Sequence, residues 1–147
     1  HLILNISNIF IISLDTSART ANDAAESLKV ETGAIVKSLV FKAHKKNLYY
    51  LCLVSGDKFV SMKKLSLNIN DEVEKASANE VKKQTGYSIG GVPPICHVNS
   101  PSQVFIDSNL MRFKKIYAAA GHPYAIFGIS FFQICEITNG KVIDLVE

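Results

Sequence analysis

Chemistry in this sequence concentrates in one glycine- and proline-rich stretch, Thr85-Gly86-Tyr87-Ser88-Ile89-Gly90-Gly91-Val92-Pro93-Pro94. Gly90 and Gly91 carry no Cβ, so a ligand can come close to their peptide groups. Pro93 and Pro94 fix two φ angles and stiffen the exit. Such a loop offers backbone amides to a carbonyl or an oxyanion, although the same composition suits an ordinary tight connection. The second candidate is Lys37, a lone cation in the apolar run Ile35-Val36-Lys37-Ser38-Leu39-Val40-Phe41. A strand period of two puts Ile35, Lys37, Leu39 and Phe41 on one face. The ammonium either reaches water at a strand end or faces a pocket that takes an anionic or carbonyl-bearing ligand. Asp107 closes a predicted strand, where a site can form, and Gly121-His122-Pro123 makes a second Gly/Pro turn.

Other chemistries find less support. Serine-hydrolase catalysis needs a nucleophile, a base and an orienting acid, and no Gly-x-Ser-x-Gly elbow is expected. Cys96 and His97 are neighbours in an extended segment and so point to opposite faces. Cys96, His97 and His122 lack the paired spacing of a zinc site, so no metal is expected. There is no phosphate-binding lysine loop and no dinucleotide fingerprint, and no cofactor is expected. A site of one lysine, two glycine turns and a carboxylate can polarise a carbonyl but supplies no strong nucleophile. It suits hydrolysis of an already activated ester by water or a substrate hydroxyl.

The elements that must position these residues follow from pattern. Ile9–Leu14, Ile35–Phe41, Leu48–Val54, Glu72–Ala76, Val104–Asp107, Ile116–Ala120, Tyr124–Ile129 and Lys141–Leu145 read as strands. Thr20 is the N-cap of a first helix that turns Ala24, Ala25 and Leu28 to the core. Phe59–Leu67 has weak helical spacing, and Ser108–Phe113 reads as a short helical turn. Ser77 with Glu80, and Ser130 with Gln133, are capping boxes. The Ser77 helix is expected to end at Gly86, which hangs the glycine-proline loop from a fixed helix end. The expected fold is a single α/β domain over 1–147 of mixed, α+β-like type. Its sheet of about seven strands would be curved and partly barrel-like, flanked by short helices.

Composition fits one globular domain: 48% of residues are hydrophobic and 20% charged, with a net charge of +3 that permits a polyanionic partner without requiring one. Three scattered cysteines are no disulfide framework and suggest a reducing, cytoplasmic setting. The Ile9–Leu14 run is too short to span a membrane and lacks the flanks of a signal peptide. The chain opens on His1 and not on Met, from which a few preceding residues are expected. Lys42, His44, Lys45 and Lys46 crowd a predicted hairpin tip that is either a solvated turn or a phosphate contact.

Taken in order, Arg19-Thr20-Ala21 with Ala24-Ala25, Ile35 to Phe41, Thr85-Gly86-Tyr87 with Gly90 to Pro94, Phe105-Ile106-Asp107 and Ala120-Gly121-His122-Pro123 resemble the YbaK/prolyl-tRNA-synthetase-associated domain family across nearly the whole chain. The resemblance implies a trans-acting deacylase of mischarged tRNA, typically tRNA for proline carrying a non-cognate small amino acid. Its partners would be the tRNA acceptor end and a synthetase such as prolyl-tRNA synthetase, with no DNA and no membrane. It implies that Lys37, Gly90 and Pro94 are catalytic. Ser38, Tyr87, Gly91, Val92, Pro93, Asp107, Gly121 and His122 are the expected substrate-binding residues, and the hairpin-tip lysines Lys42, Lys45 and Lys46, read from their clustering, are the expected tRNA contacts. Pro93-Pro94-Ile95-Cys96 departs from the Ser-Pro and later glycine of many relatives. In the cysteine-removing branch a Ser precedes the glycine turn and an Asp lies on the next strand. Ala119 and Ile126 stand there, so a more apolar pocket is expected. Two other readings stay open: a non-catalytic tRNA- or synthetase-binding module using the tip lysines with Arg112, Lys114 and Lys115, and a small-molecule regulatory domain.

Overall fold

The computed structural model describes residues 9–147. Among them run β1 (Ile11–Ser13), α1 (Ala21–Leu28), a 3-10 turn (Thr32–Ala34), β2 (Val36–Ala43), β3 (Tyr49–Ser55), α2 (Met62–Ile69) and β4 (Val73–Lys75). Then come α3 (Ala78–Thr85), β5 (Gln103–Asp107), a second 3-10 turn (Ser108–Arg112), β6 (Ile116–His122), β7 (Ala125–Ile129), α4 (Phe131–Thr138) and β8 (Lys141–Ile143). The helix starts form for the local reasons expected. Thr20 Oγ1 accepts from the Asp23 N–H at 3.1 Å, and the Ser77/Glu80 and Ser130/Gln133 boxes are both closed. Gly86 ends α3 at φ 86°, a left-handed position that costs glycine nothing. The weak helix near Phe59 begins later than expected, because Ser61 caps it and leaves Phe59 outside.

The strands form two sheets, not one. β1-β7-β6 is antiparallel, and β4-β2-β3-β5-β8 is mixed, with β3–β5 and β5–β8 parallel. The sheets meet at the single bridge Ile35–Tyr117, and the described residues form no closed barrel. The cause lies along β2. β4 pairs only with Phe41–Ala43, and β6 bridges the chain only at Ile35, just before β2, so the edge of β2 between them has no ladder partner.

Alternation along β2 and β3 feeds two cores. Val36, Val40, Leu51 and Leu53 pack with Phe127, Ile129 and Ile134 on one face. Phe41, Cys52 and Val54 pack with Leu65, Ile69 and Leu145 on the other. Cover on both faces explains why β3 is an unbroken apolar run. Cys52 is a fully buried core residue, and burial pushes its thiol pKa up. No helix among the described residues is long and apolar enough to cross a membrane.

Candidate active site

The unpaired edge of β2 opens into a cavity of about 260 Å³ between the two sheets. Val36, Lys37, Ser38, Leu39 and Val40 line one wall; Ile89, Gly90 and Val92 of the glycine-proline loop line another. The mouth carries Arg19, Lys75 and His122.

Ser38 is the least satisfied residue in this wall. The Ala43 N–H bonds to Leu48, and the Ala76 N–H to the Val40 carbonyl, so ladder alternation turns the peptide groups of Ser38 away from β3. They point to the side that β4 has already left. The Ser38 hydroxyl is buried in the cavity wall without a hydrogen-bond partner among the described residues. A buried orphan hydroxyl costs about 1–3 kcal/mol, which a bound ligand would recover.

Lys37 lies on the opposite face of the strand, with Leu39 and Phe41 as expected. Lys37 lines the cavity, but its Nζ donates to the Lys58 carbonyl and sits 4.7 Å from the Phe59 ring centroid, and neither of those residues is part of the cavity wall. Burial lowers its pKa below 10.5; Asp57 opposes that shift and Lys75 adds to it. In this state the lysine's charge is docked on the 58–59 turn and not on the glycine loop.

The glycine loop is wedged between two backbones. A Cβ on Gly90, at φ 92°, would stand 3.0 Å from the Arg19 carbonyl oxygen; one on Gly91 would meet Gly121 and His122 at 3.5 Å. Gly121, at φ 97°, faces the Tyr87 ring, where a Cβ would come within 2.9 Å. The two glycine turns thus touch, and Tyr87 and Gly121 support the loop without lining the cavity. The Gly91 N–H is already spent on the Ser88 carbonyl; Gly90 and Val92 line the cavity, and their N–H groups make no backbone hydrogen bond among the described residues, which leaves them as candidate donors. His97 Nε2 lies 2.7 Å from the Pro93 carbonyl and so carries the proton; burial lowers the imidazole pKa, and this bond partly offsets it. The bond braces Pro93, which is buried, while Pro94 faces a second cavity on the far side of the loop.

Several expectations move. Asp107 is fully buried away from the cavity: Oδ2 accepts from the Asn109 N–H at 3.1 Å and Oδ1 from the Leu145 N–H at 2.9 Å. It caps a turn and pins the C-terminal segment. At the hairpin tip, Lys46 Nζ donates to the Ile69 carbonyl, and Lys42 pairs with Glu80 at 3.5 Å. Lys45 is exposed, with its N–H held by Asp71. Gly86-Tyr87-Ser88-Ile89-Gly90 does have Gly-x-Ser-x-Gly spacing. It leaves a helix instead of joining a strand to one, and Ser88 neither lines the cavity nor bonds to a base among the described residues.

The profile of the aminoacyl-tRNA editing domain family matches residues 15–135. The chain belongs to this family. The editing domain is 30% identical over 132 residues to the uncharacterized protein YwhH of Bacillus subtilis, covering 90% of this chain and 83% of that one. A solved structure described as a candidate trans-editing enzyme for prolyl-tRNA synthetase is 35% identical, with a TM-score of 0.88 over 95% of this chain and 87% of that one. EbsC of Enterococcus faecalis, named as a candidate Cys-tRNA(Pro)/Cys-tRNA(Cys) deacylase, is 28% identical over 129 residues, 82% of this chain and 77% of that one. Within this editing domain, Lys37, Ser38, Gly90, Val92 and His122 share one cavity, and Ala119 and Ile126 do line it. Lys75 and Phe59 escaped sequence reading. Lys75 lies in a short strand with no motif, and Phe59 falls in a stretch of weak helical spacing whose helix starts only at Met62.

Proposed function

We propose that the chain is a trans-acting aminoacyl-tRNA deacylase. It hydrolyses the ester between a small non-cognate amino acid and the terminal adenosine of tRNA, with tRNA for proline as the expected carrier. The observation that carries this reading is the meeting, in one cavity wall, of Lys37, Gly90, Val92 and Ser38, whose buried hydroxyl has no partner among the described residues. The two amides would receive the ester carbonyl as it gains charge, each worth about 3–4 kcal/mol on the barrier. Ser38 would hold the amino group or a ribose hydroxyl. Lys37 would leave the Lys58 carbonyl and meet the phosphate side of the substrate. Water adds to the carbonyl carbon, the ester C–O bond breaks, and the proton passes to the departing ribose oxygen.

The walls speak for a small apolar side chain. Ala119 and Ile126 present no hydroxyl or carboxylate to a substrate thiol, so this chain would differ in substrate from a cysteinyl-tRNA deacylase. A single methylene is worth only about 1–3 kcal/mol in such a pocket, so a graded preference is expected. A prolyl-tRNA synthetase is the expected partner in delivery. The test is release of amino acid from a panel of mischarged tRNAs by the wild type and by Lys37→Ala. Loss of release in the variant, with small apolar residues preferred by the wild type, is expected. A wild type that never exceeds spontaneous hydrolysis ends the enzyme reading.

A further inference from the structure

Phe59 is 71% exposed, yet its backbone is pinned on both sides. The Lys58 N–H bonds to the Ser55 carbonyl, the Phe59 carbonyl receives the Glu147 N–H, and Val60 is buried and bridged to Val146. A large apolar ring is therefore held out into water at a fixed place. One residue links that place to the cavity: Lys37 lines the cavity wall and lays its ammonium over the ring. Cations outnumber the one acid nearby: Lys58 is on the turn beside Asp57, Lys37 of β2 docks on it, and Lys75, near enough to Lys37 to act on its charge, and Arg19 line the cavity with Lys37. Neither Arg19 nor Lys75 has a side-chain hydrogen bond or ion pair among the described residues, and Asp57 is engaged by Arg112.

An exposed aromatic ring among unpaired cations, beside an amino-acid-sized cavity, matches a ligand with a planar base and an anionic backbone. We propose that Phe59 is the platform on which a base at the single-stranded 3′ end of the substrate RNA stacks while the aminoacyl group enters the cavity. Arg19 and Lys75 neutralise the adjoining phosphates. The inference rests on the deacylase reading and supplies its nucleic-acid contact. Stacking of this kind tolerates any base, so it confers grip and not sequence choice.

The chain has no tryptophan, so Phe59→Trp introduces a single indole reporter at the platform. Titration of this variant with the trinucleotide CCA is expected to quench its fluorescence, and a trinucleotide with an abasic 3′ residue is expected to quench it less and bind more weakly. In deacylation, Phe59→Ala is expected to raise KM roughly 5- to 150-fold with kcat within about twofold. Equal quenching by the abasic probe, or an unchanged KM in Phe59→Ala, overturns the platform. A wild type that deacylates nothing overturns the deacylase reading instead, and the titration still decides the stacking.

Discussion

Adjacent glycines in the loop carry opposite expectations. Gly90 has φ 92°, and a Cβ there would stand 3.0 Å from the Arg19 carbonyl oxygen and 3.3 Å from its Cα. Both neighbours are backbone and cannot swing aside. A non-glycine residue in such a conformation costs about 1–3 kcal/mol before any contact is counted. For a domain of this size, that lowers Tm by roughly 2–10 °C. The loop can relieve the strain only by moving, which carries the Gly90 N–H off its aim. Loss of one oxyanion donor costs about 10²–10³ in kcat. Gly91 lacks the positive φ, and its added Cβ would make ordinary contact at 3.5 Å with Gly121 and His122. Its N–H is internal to the turn. Gly91→Ala is therefore expected to hold or raise Tm by a fraction of the roughly 0.4–1 kcal/mol that a compatible Gly→Ala change gives, and to keep kcat within about threefold. Thermal melts and single-turnover deacylation of both variants decide the matter. Equal damage from the two substitutions, or a fully active Gly90→Ala, would refute the reasoning.

Three further outcomes follow from the contacts described. Asp107→Ala is expected to cost about 3–5 kcal/mol, because two backbone N–H groups lose a buried carboxylate; calorimetry should show it, with KM of the surviving folded enzyme unchanged. Lys37 should titrate below 10.5 by side-chain NMR, because burial disfavours its charge, and Lys75→Ala should move the midpoint upward by removing a like charge. Glu80 is held at about 2, against an ordinary 4.5, by the Ser77 N–H and the Tyr49 hydroxyl. A depressed carboxylate stabilises the fold above its unfolded value and loses that contribution as pH falls toward the folded one. Wild-type Tm should therefore drop more steeply than that of Glu80→Gln between pH 4.5 and 2.

What could be read from sequence was local. The caps at Thr20, Ser77 and Ser130 and the left-handed Gly86 depend on residues within one turn, and they formed as expected. Lys37 stood out because a cation in an apolar strand needs an explanation. Sheet pairing did not show, because the parallel contacts β3–β5 and β5–β8 join segments far apart in the chain. Asp107 misled because an acid at a strand end looks the same whether it meets a ligand or caps the next turn. The resting contacts of the tip lysines were equally hidden: Lys46 donates to the Ile69 carbonyl, Lys42 pairs with Glu80, and Lys45 stays exposed. The orphan state of Ser38 was invisible, since it arises from where β4 stops.

The most direct measurement is single-turnover release of alanine from alanyl-tRNA(Pro) by the wild type and by Ala119→Phe, a variant that adds bulk to the cavity wall and leaves Lys37 and the glycine loop unsubstituted. Release well above the spontaneous rate by the wild type, and its loss in a variant that melts at a similar temperature, is the expected pair of results. Equal release by the two proteins would place the ester-cleaving site elsewhere and contradict the assignment of this cavity.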